Sequence, residues 1–140
     1  IFPPDEFPKI ELAAKYVYFG TERINKAIDN DFAAQQAYAN DNFAEAAEFY
    51  AKAAEFNPTD YTLFENAGLN YFLINEYDKS LEYLNIVIDS LNPGTGKSEF
   101  IAASVFIGKS DSVKACEYAK LASELDYPGS YGIIAKFCNN

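Results

Sequence analysis

YTLFENAGLNYFLINEYDKSLEYLNIVIDSLNP, residues 61–93, holds two apolar stripes with helical spacing and a break between them. The first stripe is Phe64, Ala67, Gly68 and Tyr71; the second is Tyr77, Ser80, Leu84 and Val87. Steps of three and four residues put each set on one face of a helix. Asn75 and Glu76 interrupt the pattern, and Pro93 closes it. The segment therefore predicts helix, short turn, helix, and then a proline-marked loop.

The pattern extends in both directions. Phe43, Ala46, Tyr50 and Ala53 precede the second stripe by 34 residues, and Ala115, Ala119 and Ala122 follow its last three positions by 35. Ala103 and Phe106 continue the first stripe, and Pro58, Pro93 and Pro128 are spaced 35 apart. A repeat of this length is a helical hairpin that buries its apolar face only by stacking on its neighbours. Hairpin turns are expected near residues 40–42, 75–76 and 109–111. A β-sheet through residues 86–88 would overturn this reading.

The flanks are less regular. Residues 1–8 hold three prolines with Phe2 and Phe7, and read as an extended arm. A helix is expected from Lys9 to a stop at Gly20, with Thr21 capping a second helix that carries Ile24, Ala27 and Ile28. Where that second helix ends, near Asn30 or toward Tyr38, stays open. Residues 130–138, with Ile133, Ile134 and Phe137, read as a helix capping the open end of the stack. The domain scheme is an arm over 1–8 and one domain over 9–140. That domain comprises N-terminal helices 9–27, repeats 28–60, 61–95 and 96–128, and a cap at 129–140.

Composition narrows the functional classes. The chain of 140 residues carries a net charge of −10, which argues against a phosphate backbone as partner. No apolar run reaches the length of a membrane span. The sequence contains no His, which removes the commonest general base and the commonest metal ligand. It starts at Ile1 and has no Met, so a processed product or a fragment is expected.

Gly68 with Tyr71, followed by Tyr77, Ser80 and Leu84, resembles the tetratricopeptide repeat family, whose units place a small residue and an aromatic on the first helix and an aromatic, a small and a large residue on the second. Ala46, Tyr50, Ala53 and Pro58 match the second helix of the preceding unit; Ala34 and Ala37 match its first helix more weakly. The likeness covers residues 28–128. It implies an all-α, right-handed superhelix of helix-turn-helix repeats that binds a protein or peptide on a concave face and has no catalytic residues and no cofactor. Carried over by position, the groove is Asp31, Gln35 and Tyr38; then Glu65, Asn66, Leu69, Phe72 and Leu73; then Lys97, Phe100, Ile101, Ser104 and Ile107. Members that clamp a terminal carboxylate use basic residues here. Asn66 and Lys97 suit a clamp, whereas Asp31 and Ile101 stand where basic residues belong. An apolar groove is expected instead, with Phe72 as an anchor and the arm residues Phe2 and Phe7 as one potential occupant. The alternative function is a structural subunit in a head-to-tail or filamentous assembly, since stacked hairpin ends make heterologous contacts.

Three other features compete for attention. Asn92-Pro93-Gly94-Thr95-Gly96-Lys97-Ser98 looks like the end of a phosphate-binding loop, but Leu91 occupies the place of the first glycine. It reads better as an inter-repeat turn. Asp29-Asn30-Asp31 and Asn40-Asp41-Asn42 lack the glycine and distant glutamate of a calcium loop, and read as solvated loops and caps, with no metal. Cys116 and Cys138 flank the turn at Pro128 at nearly equal distance, which brings them together if the two segments are antiparallel helices. A disulfide, and with it an exported protein, is expected; the alternative is two buried thiols in a reducing cytoplasm.

Overall fold

The computed structural model describes the backbone of residues 7–138 and the side chains of residues 20–138. Seven α-helices follow one another among these residues: α1 (Phe7–Ala39), α2 (Phe43–Phe56), α3 (Tyr61–Leu73), α4 (Tyr77–Asn85), α5 (Lys97–Gly108), α6 (Ser112–Glu124) and α7 (Ser130–Phe137). A π-helical segment, Ile86–Leu91, prolongs α4. No strand occurs among the described residues, so residues 86–88 are helical and the loop after them is no phosphate loop. Hairpins α1–α2, α3–α4 and α5–α6 stack in chain order, and α7 closes the stack against α6.

The predicted stripe is the core. Ala46, Ser80 and Ala115 are fully buried, as are Ala53, Val87 and Ala122 at the next shared position. Gly68 lets α3 and α4 cross closely: a Cβ there would lie 2.7 Å from Leu84. Ser80 Oγ donates to the Gly68 carbonyl at 2.6 Å across the same crossing. Aromatic contacts repeat with the register. Tyr71 stacks on Tyr83 at 5.5 Å with Lys79 over its ring, and Phe106 stacks on Tyr118 at 5.2 Å with Lys114 over its ring.

The hairpin turns fall where expected and share one mechanism. Asp41, Asn75 and Ser110 adopt left-handed φ of 58°, 62° and 60°. In each turn the next amide donates to a carbonyl five residues back: Asn42 to Ala37, Glu76 to Tyr71 and Asp111 to Phe106. This Schellman pattern ends the first helix. Asn42 and Asp111 then cap the second, accepting from the amides of Glu45 and Lys114.

The flanks depart from expectation. α1 is a single helix of 33 residues, about 50 Å long at 1.5 Å per residue. Gly20 and Thr21 both lie inside it. A glycine stops a helix when it takes the left-handed conformation, and among the described glycines only Gly94 and Gly96 have positive φ. The two N-terminal helices expected over residues 9–27 are therefore part of one helix that runs on to Ala39. Asp29-Asn30-Asp31 sits within it and not in a loop. Phe7 and Pro8 belong to its first turn, where proline's missing N–H costs nothing, so the arm is shorter than residues 1–8. Phe2 and the rest of residues 1–6 lie outside the described residues.

The second helix of the middle unit widens to π geometry over Ile86–Leu91, where the Asn92 amide donates to the Val87 carbonyl five residues back. The following loop turns sharply at Gly94 and Gly96 (φ 75° and 80°). Gly96 is pressed against the end of α6, where a Cβ would lie 2.9 Å from Tyr127 and 3.2 Å from the Ala122 carbonyl.

Candidate interaction face

The repeat register sorts the first-helix residues into rows. Ile28, Thr62 and Lys97 form one row, Phe32, Asn66 and Ile101 another, and Tyr38, Phe72 and Ile107 a third. The first unit is the open one. Phe32 is 64% exposed, Ile28 58%, Tyr38 45% and, beside them in the second unit, Leu73 39%. Gln35 Nε2 donates to Asp31 Oδ1 at 3.2 Å, and the Tyr38 ring lies 5.5 Å from that of Phe43. Beneath them burial pushes the Tyr50 phenol up, and the charges of Asp31 and the neighbouring Tyr38 add to it.

Toward the third unit the expected lining is progressively taken up by packing. Leu69 and Phe72 lie half-buried against a core of Leu84, Ile101, Ala102 and Val105, and Phe72 leans on Tyr77 at 6.2 Å. Ile101 is itself buried. Phe100 packs on Tyr127 at 5.0 Å, and a Cβ at Gly129 would lie 3.0 Å from its ring. Glu65 is 5% exposed and accepts a hydrogen bond from Ser98 Oγ at 2.6 Å, so it serves the unit interface and not an open groove. The Ser98 hydroxyl, at the position whose hydroxyl holds magnesium in the rejected loop motif, is thereby engaged. Ser104 Oγ donates to the Phe100 carbonyl, while Asn66, Lys97 and Ile107 stay half-buried. Sequence reading omitted Ile28 and Phe32. Subtracting 34 from Thr62 and Asn66 finds both, at the same offset that relates Asp31, Gln35 and Tyr38 to Glu65, Leu69 and Phe72.

Neither a family model nor a curated protein matches the sequence. Solved structures do match. The first tetratricopeptide domain of Spaghetti (RPAP3), bound to the HSP90 peptide SRMEEVD, superposes with a TM-score of 0.74 at 16% identity, over 82% of this chain and 92% of that one. The fold is that of tetratricopeptide repeats. The tetratricopeptide domain of Arabidopsis OM64 matches with a TM-score of 0.73 at 13% identity, covering 82% of this chain and 96% of that one. The N-terminal domain of stress-induced protein-1 from C. elegans gives 0.70 at 18% identity, covering 84% and 98%.

At the far end of the superhelix Cys116 and Cys138 are bonded, with Cα atoms 5.4 Å apart. The bond ties α7 to α6 beside a cavity of about 290 Å³ lined by Val113, Lys120 and Phe137 among others. Among the described residues, exposed apolar side chains gather on α1 at one end of the stack, and α7 is cross-linked to α6 at the other.

Proposed function

We propose that this chain is a non-enzymatic tetratricopeptide scaffold that binds a peptide or protein segment across its first-helix face. The observation that carries the reading is the exposure of Ile28, Phe32 and Tyr38, the first-unit members of three rows, with Leu73 of the second unit, on the face expected to hold ligand. Exposed apolar patches of this kind mark interfaces. The Spaghetti domain, bound to an HSP90 peptide, supplies the structural precedent. The ligand differs in chemistry, however. Asp31 and the buried Ile101 replace clamp cations, and a net charge of −10 repels an acidic tail. The preferred segment is apolar and neutral or basic. An oxidising, exported location fits the Cys116–Cys138 bond.

Selection from a displayed peptide library, followed by titration of the winning peptide, tests this. Phe32→Ala is expected to weaken binding by about 2 kcal/mol, roughly 30-fold, as for an interface anchor. The peptide SRMEEVD serves as the acidic control and is expected not to bind. A winner that is acidic, or that binds the Phe32→Ala protein equally well, contradicts the proposal. A second reading, self-assembly through the open end, is favoured by Ile24, which is 55% exposed and continues the apolar stripe along α1. Sedimentation over a range of protein concentrations distinguishes the two, since only assembly predicts growth without ligand.

A further inference from the structure

A second cavity lies on the opposite, second-helix side of the stack. It measures about 210 Å³ and is lined by Ile88, Asn92, Glu99, Leu121, Glu124 and Leu125. Its walls come from three elements: the π-helical segment and the turn after it, the first turn of α5, and the end of α6. Both irregularities of the middle unit shape it, because the widened turn sets Ile88 and the left-handed Asn92 (φ 42°) sets the far wall. The volume is below the roughly 300–1,000 Å³ of pockets for drug-sized ligands, so it suits a side chain or a small molecule.

Its chemistry is one-sided. Three walls are aliphatic, two groups are carboxylates, and no lining residue is basic. Glu99 is 7% exposed, and its Oε2 is buried without a hydrogen-bond partner. A buried carboxylate oxygen without a donor is costly, and native structures seldom leave one unanswered. Glu124 stands exposed at the rim, between Leu121 and Leu125, which are themselves 43% and 38% exposed. These two leucines line the same cavity as Glu99, and as exposed side chains they can change rotamer to widen access to it. We propose that this cavity binds a primary alkylammonium group, its methylenes against Ile88, Leu121 and Leu125 and its charge on Glu99, with Glu124 steering it in. A lysine side chain of a partner and a free alkylamine share this chemistry. Burial pushes the Glu99 carboxyl up, and the neighbouring Glu65 adds to the effect while Glu99's own backbone amide opposes it. An entering cation reverses that balance by supplying the missing donor and counter-charge.

Titration of the methyl- and amide-labelled chain with n-butylammonium at neutral pH and fixed ionic strength is the test. Nα-acetyl-lysine amide forms a second arm, and n-butanol is the neutral control. Saturable shifts are expected at Ile88, Glu99, Leu121 and Leu125, with n-butanol at least tenfold weaker. Glu99→Gln should keep the fold and lose at least tenfold in affinity; Glu124→Gln should lose only a few-fold. Tighter binding of the lysine derivative assigns a partner's side chain, and tighter binding of butylammonium assigns a free amine; either supports the site. Absence of saturable shifts at these residues, or unchanged binding by Glu99→Gln, overturns it.

Discussion

Gly68 and Glu99 show how single residues set the terms for this fold in opposite directions. At Gly68 an added methyl would stand 2.7 Å from Leu84, which is fully buried and has nowhere to move. Gly68→Ala is therefore expected to destabilise by roughly 1–3 kcal/mol despite alanine's better helix propensity. Chemical denaturation checks it, and a stabilised variant would contradict the packing account. At Glu99 the folded state holds its proton to higher pH than the unfolded chain, because burial disfavours the charge. Its contribution is thus fully present below the ordinary carboxylate range and is lost as pH rises through the raised folded value. Glu99→Gln should raise Tm by about 2–5 °C at pH 7, within the range for a relieved buried polar group, and change it little near pH 4. Equal gains at both pH values would show that packing, and not ionisation, is responsible.

Helices and their terminations account for what the chain reveals of itself and what it hides. The stripes at 43–53, 77–87 and 115–122 were legible because burial on one helix face imposes a period that side chains must obey. The turns were legible because Asp41, Asn75 and Ser110 stand where polar residues both tolerate left-handed φ and pass the chain to a cap. Ser110 is the poorest left-handed residue of the three, so Ser110→Gly is expected to stabilise by roughly 0.5–1 kcal/mol, measured by the same denaturation. α1 was misread at Gly20, because a glycine is compatible with both a stop and a helix interior, and only long-range packing of Ala27, Ala34 and Ala37 decides. The open end of the interaction face was likewise hidden, since Ile28 and Phe32 look like core residues on spacing alone. α7, with eight residues, is too short to be helical by itself and depends on its docking and its disulfide. Reduction opens the loop closed between residues 22 apart, restores entropy to the unfolded chain, and is expected to cost about 3 kcal/mol. Amide exchange in α7 should quicken first while α3 stays protected; uniform loss of protection would mean the bond supports the whole stack.

Across the whole molecule, the proposed function divides stability and interaction between faces. Tyr50, Tyr71, Tyr83 and Tyr118 occupy the repeat interior, and in all four burial raises the phenol above its usual range. Their contribution is complete below about pH 10, the unfolded value, and is lost as pH climbs through the folded ones. Unfolding followed by circular dichroism should therefore show a separate, steep fall in stability on the alkaline side of about pH 10, beyond the earlier loss at Glu99. A flat alkaline limb would contradict the buried aromatic interior. Among the apolar surfaces the interior leaves uncovered is the first-helix face near α1, and the central claim is that a peptide seats there. The most direct measurement is the methyl spectrum of the isoleucine- and leucine-labelled chain during titration with the library-selected peptide. The expected result is saturable shifts at Ile28 and Leu73, needing roughly 30-fold more peptide in Phe32→Ala, with Ile133 and Ile134 of α7 unmoved. Shifts confined to α6 and α7, with Ile28 and Leu73 silent, would contradict it.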